Sequence, residues 1–168
     1  VCEESSLSED AQQNRLLARL VAGGVATVAP LPLVDAPGSV AVHREKPAAA
    51  FAFRPGSWIC QQRVTSEHVR RVGEAVATIH LAPVSASDIP VSRFGADRLR
   101  QRLAALAGQQ GEIGSAVQHL AARLDELEAI TNVGDCVVHG DVFRDNVLWH
   151  DGPAAELSAV LDFESASA

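Results

Sequence analysis

The sequence predicts an α+β protein. Three observations carry that prediction: four runs with apolar residues at helical spacing, short β-prone runs before residue 54 and after residue 135, and no apolar stretch near the roughly 20 residues a membrane helix needs. A chain of 168 residues is long enough for one good core or two small ones. At 47% apolar and 21% charged residues, with a mean hydropathy of +0.08, it has the composition of a globular protein rather than a disordered one.

Ser8, Glu9 and Asp10 lead into AQQNRLLARLVAGG, where Leu16, Leu17, Leu20 and Val21 share one face and two glycines supply a stop, so a helix is expected over 9–22. From Val25 to Phe53 the runs are short and broken by Pro30, Pro32 and an APGS turn at 36–39, and SVAVHR and AAAFAF read as paired strands. RPGSW at 54–58 reads as a linker. Thr65 can cap SEHVRRVGEAVATIHLA, whose Val69, Val72, Val76, Ile79 and His80 recur three and four apart, and Pro83 ends the run. ADRLRQRLAALAG presents Leu99, Leu103 and Leu106. EIGSAVQHLAARLDELEAI presents Ile113, Val117, Leu120, Leu124 and Leu127, too few heptads for a coiled coil, so they are expected to be the inner face of a packed helix. The last third returns to strand and loop, with CVV (136–138), NVLW (146–149), a turn at Asp151 and Gly152, and LSAVLDF.

The formal net charge of −7 argues against nucleic acid as a partner, because binding a phosphate backbone depends on a basic surface. Cys2, Cys60 and Cys136 are odd in number and widely spaced, which suits a reducing compartment better than a disulfide framework. VCEESSLSED lacks the basic and apolar regions of a signal peptide. A cytoplasmic protein with neither a membrane nor a nucleic-acid partner is therefore expected.

The densest chemistry lies in VVHGDVFRDNVLWHDG (137–152) and LDFES (161–165). Asp141 and Asn146 stand at either end of one loop, and a hairpin brings Asp162 back toward them. Oxygen donors gathered this way suit a hard cation, and Mg²⁺ takes one or two protein oxygens while water and phosphate fill the rest of its octahedron. A nucleotide follows from that geometry. A carboxylate left off the metal can accept the proton of a hydroxyl attacking a γ-phosphate.

HGDVFRDN followed by LDFE resembles the catalytic loop and metal-binding segment of the protein-kinase-like phosphotransferases that act on small molecules, which include aminoglycoside phosphotransferases, choline kinases and type II homoserine kinases. GDVFRDNVLW, the RPG after the hinge strand and VGEAVATIHLA are most similar to the homoserine kinase branch. The resemblance spans nearly the whole chain, is most specific from Val137 to Glu164, and is loose over the first 60 residues. It implies part of a protein-kinase-like fold: the end of a small N-terminal lobe (1–53, helix plus strands), a hinge, and part of a helical C-terminal lobe (54–168) with the catalytic loop.

The same resemblance implies ATP and Mg²⁺ as cofactors and a small-molecule hydroxyl as acceptor. Asp141 would be the catalytic base, Asn146 and Asp162 would hold Mg²⁺, and His139 would steady the loop. KPAAAFAFRPG corresponds to the hinge, with main-chain contacts to adenine at Ala52 and Arg54 and with Phe51 and Phe53 near the ring. The helix at 9–22 corresponds to the one whose glutamate pairs with a nucleotide lysine, and Glu9 is the nearest candidate. The acceptor implied first is homoserine, and second an aminoglycoside or a choline-like amino alcohol. A non-catalytic nucleotide-binding relative is the reading from another class, against which Asp141 speaks, since a degenerate site has no need of it.

Plainer readings compete at several of these residues. Cys136, His139, Asp141 and His150 are possible zinc ligands, but a second ligand pair at comparable spacing is missing and Cys136 sits in an apolar strand. His80 and His119 read as structural or surface residues, Asp145 as a loop brace, and Trp58 and Trp149 as packing. Arg144 reads equally as a phosphate partner or a loop brace. In the resembling family a phosphate-covering loop and a nucleotide lysine precede the first helix, whereas the sole lysine here is Lys46, in the hinge strand. The 168 residues are therefore expected to be a fragment that is inactive or nearly so in isolation, and measurable ATP-dependent phosphorylation of homoserine by them would overturn that expectation.

Overall fold

In the computed structural model, which describes residues 6–92, 95–128 and 136–167, the first helix (α1, Leu7–Ala22) starts two residues earlier than expected because Ser6 is its N-cap. Ser6 Oγ accepts the Glu9 N–H (3.3 Å) and Glu9 Oε2 accepts the Ser6 N–H (2.7 Å), a reciprocal box that satisfies two otherwise orphaned amides. The opposite face of α1 buries Leu16, Leu17 and Leu20.

Two strands follow, β1 (Val40–His43) and β2 (Lys46–Ala49), paired antiparallel with Val40 opposite Ala49 and His43 opposite Lys46. Arg44 and Glu45 make the two-residue turn with φ of 50° and 64°, the twist that matches flanking strands. The partner of SVAVHR thus begins at Lys46 rather than within AAAFAF. The continuation of β2 changes partner: the Leu31 N–H donates to Ala50 O (2.8 Å) and the Ala52 N–H to Ala29 O (3.0 Å).

Helix α2 (Ser66–His80) is capped by Thr65 as expected, with His68 in the place a glutamate usually takes: its Nδ1 accepts the Thr65 N–H (3.2 Å). Strands β3 (Val147–Trp149) and β4 (Leu157–Val160) pair antiparallel, Val147 opposite Val160. CVV contributes only a bridge, Val138 to Ser167, through reciprocal bonds of 2.7 and 3.0 Å. RPGSW is no free linker. Ser57 exchanges two main-chain bonds with Trp149 (2.9 and 3.0 Å), and a Cβ on Gly56 would lie 2.9 Å from Trp149 O, a close approach only glycine allows.

These elements belong to one compact unit, the residues up to Pro90 and from Cys136 onward, and its core joins Leu16 and Leu20 of α1 to Ile79 of α2, Val160 of β4 and Phe163. A second unit, Val91–Asp135, contains α3 (Ala96–Ala105) and α4 (Gly111–Glu128), linked by an Arg100–Asp125 ion pair of 2.6 Å. Ile113, Leu120 and Leu127 are about half exposed, contrary to the inner-face expectation, because within this unit an 18-residue helix has only a 10-residue helix to pack on. Cys2 and the stretch 129–130 lie outside the described residues. Among the described residues no helix is long and apolar enough to cross a membrane.

Leu20 is completely buried where α1 meets the rest of this core, so truncating it leaves a cavity. Leu20→Ala is expected to lower stability by about 2–5 kcal/mol in urea unfolding, against less than about 0.5 kcal/mol for a change at exposed Gln118.

Candidate active site

The loop after Val138 is organised by a buried imidazole. His139 packs against Phe163, with ring centroids 4.3 Å apart, and its Nδ1 accepts the N–H of Asp141 (3.2 Å). An accepting Nδ1 leaves the proton on Nε2, which donates to Leu161 O (2.9 Å). One ring thereby ties the residue before Asp162 to the main chain of Asp141. Between them Gly140 has φ +81°, and a Cβ there would fall 2.5 Å from Ser165 O, so the loop touches the segment after Asp162 backbone to backbone.

Asn146 closes the other end of the loop. Its N–H donates to Phe143 O (2.9 Å), its Nδ2 donates to Asp141 O (2.9 Å), and the same Nδ2 lies 3.5 Å from Asp141 Oδ2. With the amide nitrogen turned to Asp141, Asn146 Oδ1 is left for another partner. The Leu161 N–H donates to Asn146 O (2.7 Å), which brings the end of β4 against the same residue. Asp162 follows with φ +61°, a left-handed conformation that aspartate tolerates better than most side chains, and its Oδ1 accepts the Glu164 N–H (3.4 Å).

Asp162 lines a cavity of about 420 Å³ together with Asp10, Phe51 and Glu164. Glu9 takes no part in it. Its carboxylate serves the α1 cap, and the acidic residue of α1 that lines the cavity is the buried Asp10. Asp10, Asn14 and Leu17 all line this cavity at the spacing of one helical face, the signal in the sequence that would have singled out Asp10. Of the hinge residues, Phe51 lines the cavity, Phe53 is 89% exposed, and the Ala52 N–H is committed to Ala29 O. Alternation along an extended run turns the main-chain groups of Phe51 away from those of Ala52. Arg54 is exposed, and Lys46 sits at the β1–β2 turn.

Asp141, Asn146 and Asp162 offer oxygens, two carboxylates and one carboxamide, the donor type a hard cation takes, and Asn146 Oδ1 and Asp162 are the residues that would hold Mg²⁺. Among the described residues no three His, Cys, Asp or Glu side chains converge as a metal site. A zinc set of Cys136, His139, Asp141 and His150 does not assemble, because both nitrogens of His139 are engaged and His150 lines another cavity. Arg144 Nε binds the neighbouring Asp145 Oδ1 (3.1 Å), so each braces the other at the surface.

A family model for a phosphotransferase enzyme family matches residues 3–168. The homoserine kinase of Rhizobium rhizogenes is 30% identical over 162 residues, covering 88% of this chain and 45% of its own. That of Xanthobacter autotrophicus is 30% identical over 152 residues (88% and 45%), and that of Paramagnetospirillum magneticum 33% over 129 (70% and 37%). The chain spans about half the length of the curated relatives it matches. The streptomycin–ATP ternary complex of APH(2")-IIa has a TM-score of 0.68 at 13% identity, covering 98% of this chain and 57% of that one. Macrolide 2'-phosphotransferase MphH from Brachybacterium faecium has a TM-score of 0.56 at 22% identity, covering 95% and 55%. These likenesses identify the fold: α+β, of the protein-kinase-like aminoglycoside phosphotransferase type, of which the chain covers part.

The pKa of His139 is held below the ordinary 6.5, first by burial, against the upward pull of the Leu161 carbonyl and of the Asp162 and Asp141 carboxylates. In the unfolded chain the same ring takes a proton at about pH 6.5. Between that pH and the lower folded value the unfolded state binds the extra proton, so stability falls as pH falls through this window and is fully present above it. The urea midpoint is therefore expected to drop as the pH falls through about 6.5, and His139→Gln to remove that part of the dependence. Equal slopes in the two proteins would contradict this.

Proposed function

We propose, from the premise that this chain belongs to the phosphotransferase enzyme family, that it carries the catalytic loop of an ATP-dependent kinase acting on a hydroxyl of a small molecule. The observation that supports this best is the bond from Asn146 Nδ2 to Asp141, with β4 held against Asn146 and His139 by Leu161. It ties Asp141 to Asn146 and sets the main chain just before Asp162 against both ends of the loop.

In this reading the Asp141 carboxylate orients the acceptor hydroxyl and takes its proton. The hydroxyl oxygen forms the new bond to the γ-phosphorus, the bond from that phosphorus to the bridging oxygen breaks, and ADP leaves with the electron pair. Asn146 Oδ1 and Asp162 hold Mg²⁺, which when bound neutralises phosphate charge. His139 fixes the main chain of Asp141 and moves no proton itself, both nitrogens being occupied. Adenine meets the hinge at 51–54, through Arg54 and the outward main-chain groups of Phe51 rather than the Ala52 amide. Residues 1–53 then belong to the smaller lobe and 54–168 to the larger.

Homoserine is the acceptor we favour, because relatives about 30% identical over most of this chain bear the name homoserine kinase. An acidic protein of this kind works in the cytoplasm without a nucleic-acid partner. A screen of homoserine, choline and aminoglycosides, with ATP consumption as the readout, tests the choice of acceptor.

In a full-length protein carrying this sequence, Asp141→Asn is expected to lower kcat by about 10²–10⁴-fold while leaving the affinity for Mg²⁺–ATP nearly unchanged. Asp162→Asn is expected to weaken nucleotide binding in the presence of Mg²⁺. If Asp141→Asn turns over as the unaltered protein does, Asp141 is not the base.

A further inference from the structure

The side of α1 turned away from the cavity beside Asp162 is tied down by polar contacts. Gln12, Arg15 and Arg19 recur three and four apart, and at about 100° per residue they stand across the helix from Asp10, Asn14 and Leu17, which line that cavity. Gln12 Nε2 donates to Ile89 O (3.0 Å) and to Ser87 O (3.4 Å). Arg15 Nε lies 3.9 Å from Asp88 Oδ1, and Arg19 Nε 3.6 Å from Asp88 Oδ2. One face of α1 is thus clasped to Ser87, Asp88 and Ile89, in the segment that follows α2.

Exposed ion pairs contribute little, but Asp88 is not an exposed partner: its side chain is 15% exposed, against 58% and 66% for the two arginines. A carboxylate drawn that far from water needs its opposite charges, so a shift of α1 would strand it. The segment itself is anchored, because Val84 and Ile89 pack against the core that holds Phe163. Leu16 and Leu20 bind α1 to the same core through apolar contacts, which have no direction and resist sliding or rolling weakly. Hydrogen bonds and ion pairs do have direction, and they set the rotation of the helix. On the cavity side Asn14 repeats the arrangement, its Nδ2 donating to Ser39 Oγ (2.9 Å) and Ser39 O (3.2 Å).

We propose that Asp88 is a positioning residue for the nucleotide. By holding Arg15 and Arg19 it fixes the rotation of α1, and with it the face that Asp10 and Asn14 present to the cavity beside Asp162. Asp88 touches neither nucleotide nor acceptor and moves no proton. The inference rests on the kinase reading for its ligand, while the clasp stands on its own contacts.

Calorimetric titration with Mg²⁺–ATP and steady-state kinetics, both on a full-length protein carrying this sequence, test it. Asp88→Asn is expected to weaken Mg²⁺–ATP by about three- to ten-fold and to raise the KM for ATP by a similar factor, with kcat at saturation within about two-fold. Asp88→Glu, which keeps the charge, is expected to retain most of the affinity. Arg15→Gln combined with Arg19→Gln reaches the same clasp from the surface without altering the sheltered carboxylate, and is expected to cost the same factor. Adding Asp88→Asn to that pair is expected to cost no more, since the three residues act as one unit. The inference is overturned if the losses add in full, if the loss falls on kcat alone, or if Asp88→Glu is as weak as Asp88→Asn. It is overturned alone if Asp88→Asn binds Mg²⁺–ATP as tightly as the unaltered protein while Asp141→Asn no longer turns over. An unaltered protein that binds no Mg²⁺–ATP would overturn the kinase reading with it.

Discussion

A neutral imidazole holds the site together. The two nitrogens of His139 face in opposite senses, one accepting from the amide of Asp141 and the other donating to the carbonyl of Leu161. No other protonation state serves both: a charged ring has two donors, and would lose the Asp141 contact. Burial in the apolar surroundings of Phe163 and Val137 keeps the ring neutral. The polar work of the loop thus depends on the dryness of the core beneath it.

From that ring outward, the site is an arrangement of main chain before it is an arrangement of side chains. Leu161 gives its N–H to Asn146 and its C=O to His139, so the end of β4 is pinned to both ends of the loop. Asp162 then turns into the left-handed region, and its carboxylate, steadied by the Glu164 amide, reaches the cavity that α1 and Phe51 also line. Left-handed aspartate is strained by an amount of order 1–3 kcal/mol, and such strain persists only where surrounding contacts over-determine it. Here the pinned Leu161 on one side and the packed Phe163 on the other do so.

Much of this was legible in the sequence, and what was not has definite causes. The loop stood out because Asp141, Asn146 and Asp162 are polar residues flanked by strand-like apolar runs, a pattern with few structural explanations. Thr65 announced α2 because a β-region cap precedes a clean helical period. The start of α1 was misplaced because serines at 5, 6 and 8 compete for the cap, and what decides among them is the reciprocal bond between Ser6 and Glu9. That choice also consumed Glu9 and left Asp10 facing the cavity. The register of AAAFAF was illegible for another reason: when every residue in a strand is apolar, alternation carries no information about which amides are paired. The half-exposed leucines of α4 reflect a partner too short to cover them, which a periodic pattern alone does not reveal.

Gly140 gives the arrangement a further meaning. Because the loop rests directly on the carbonyl of Ser165, the clearance at this point is less than a methyl group. A homologue could keep every oxygen-bearing side chain of the motif and still be inert through one added carbon, its two halves wedged apart. Deciding whether a divergent sequence is a working catalyst or a relic therefore means reading this smallest residue as carefully as the acidic ones.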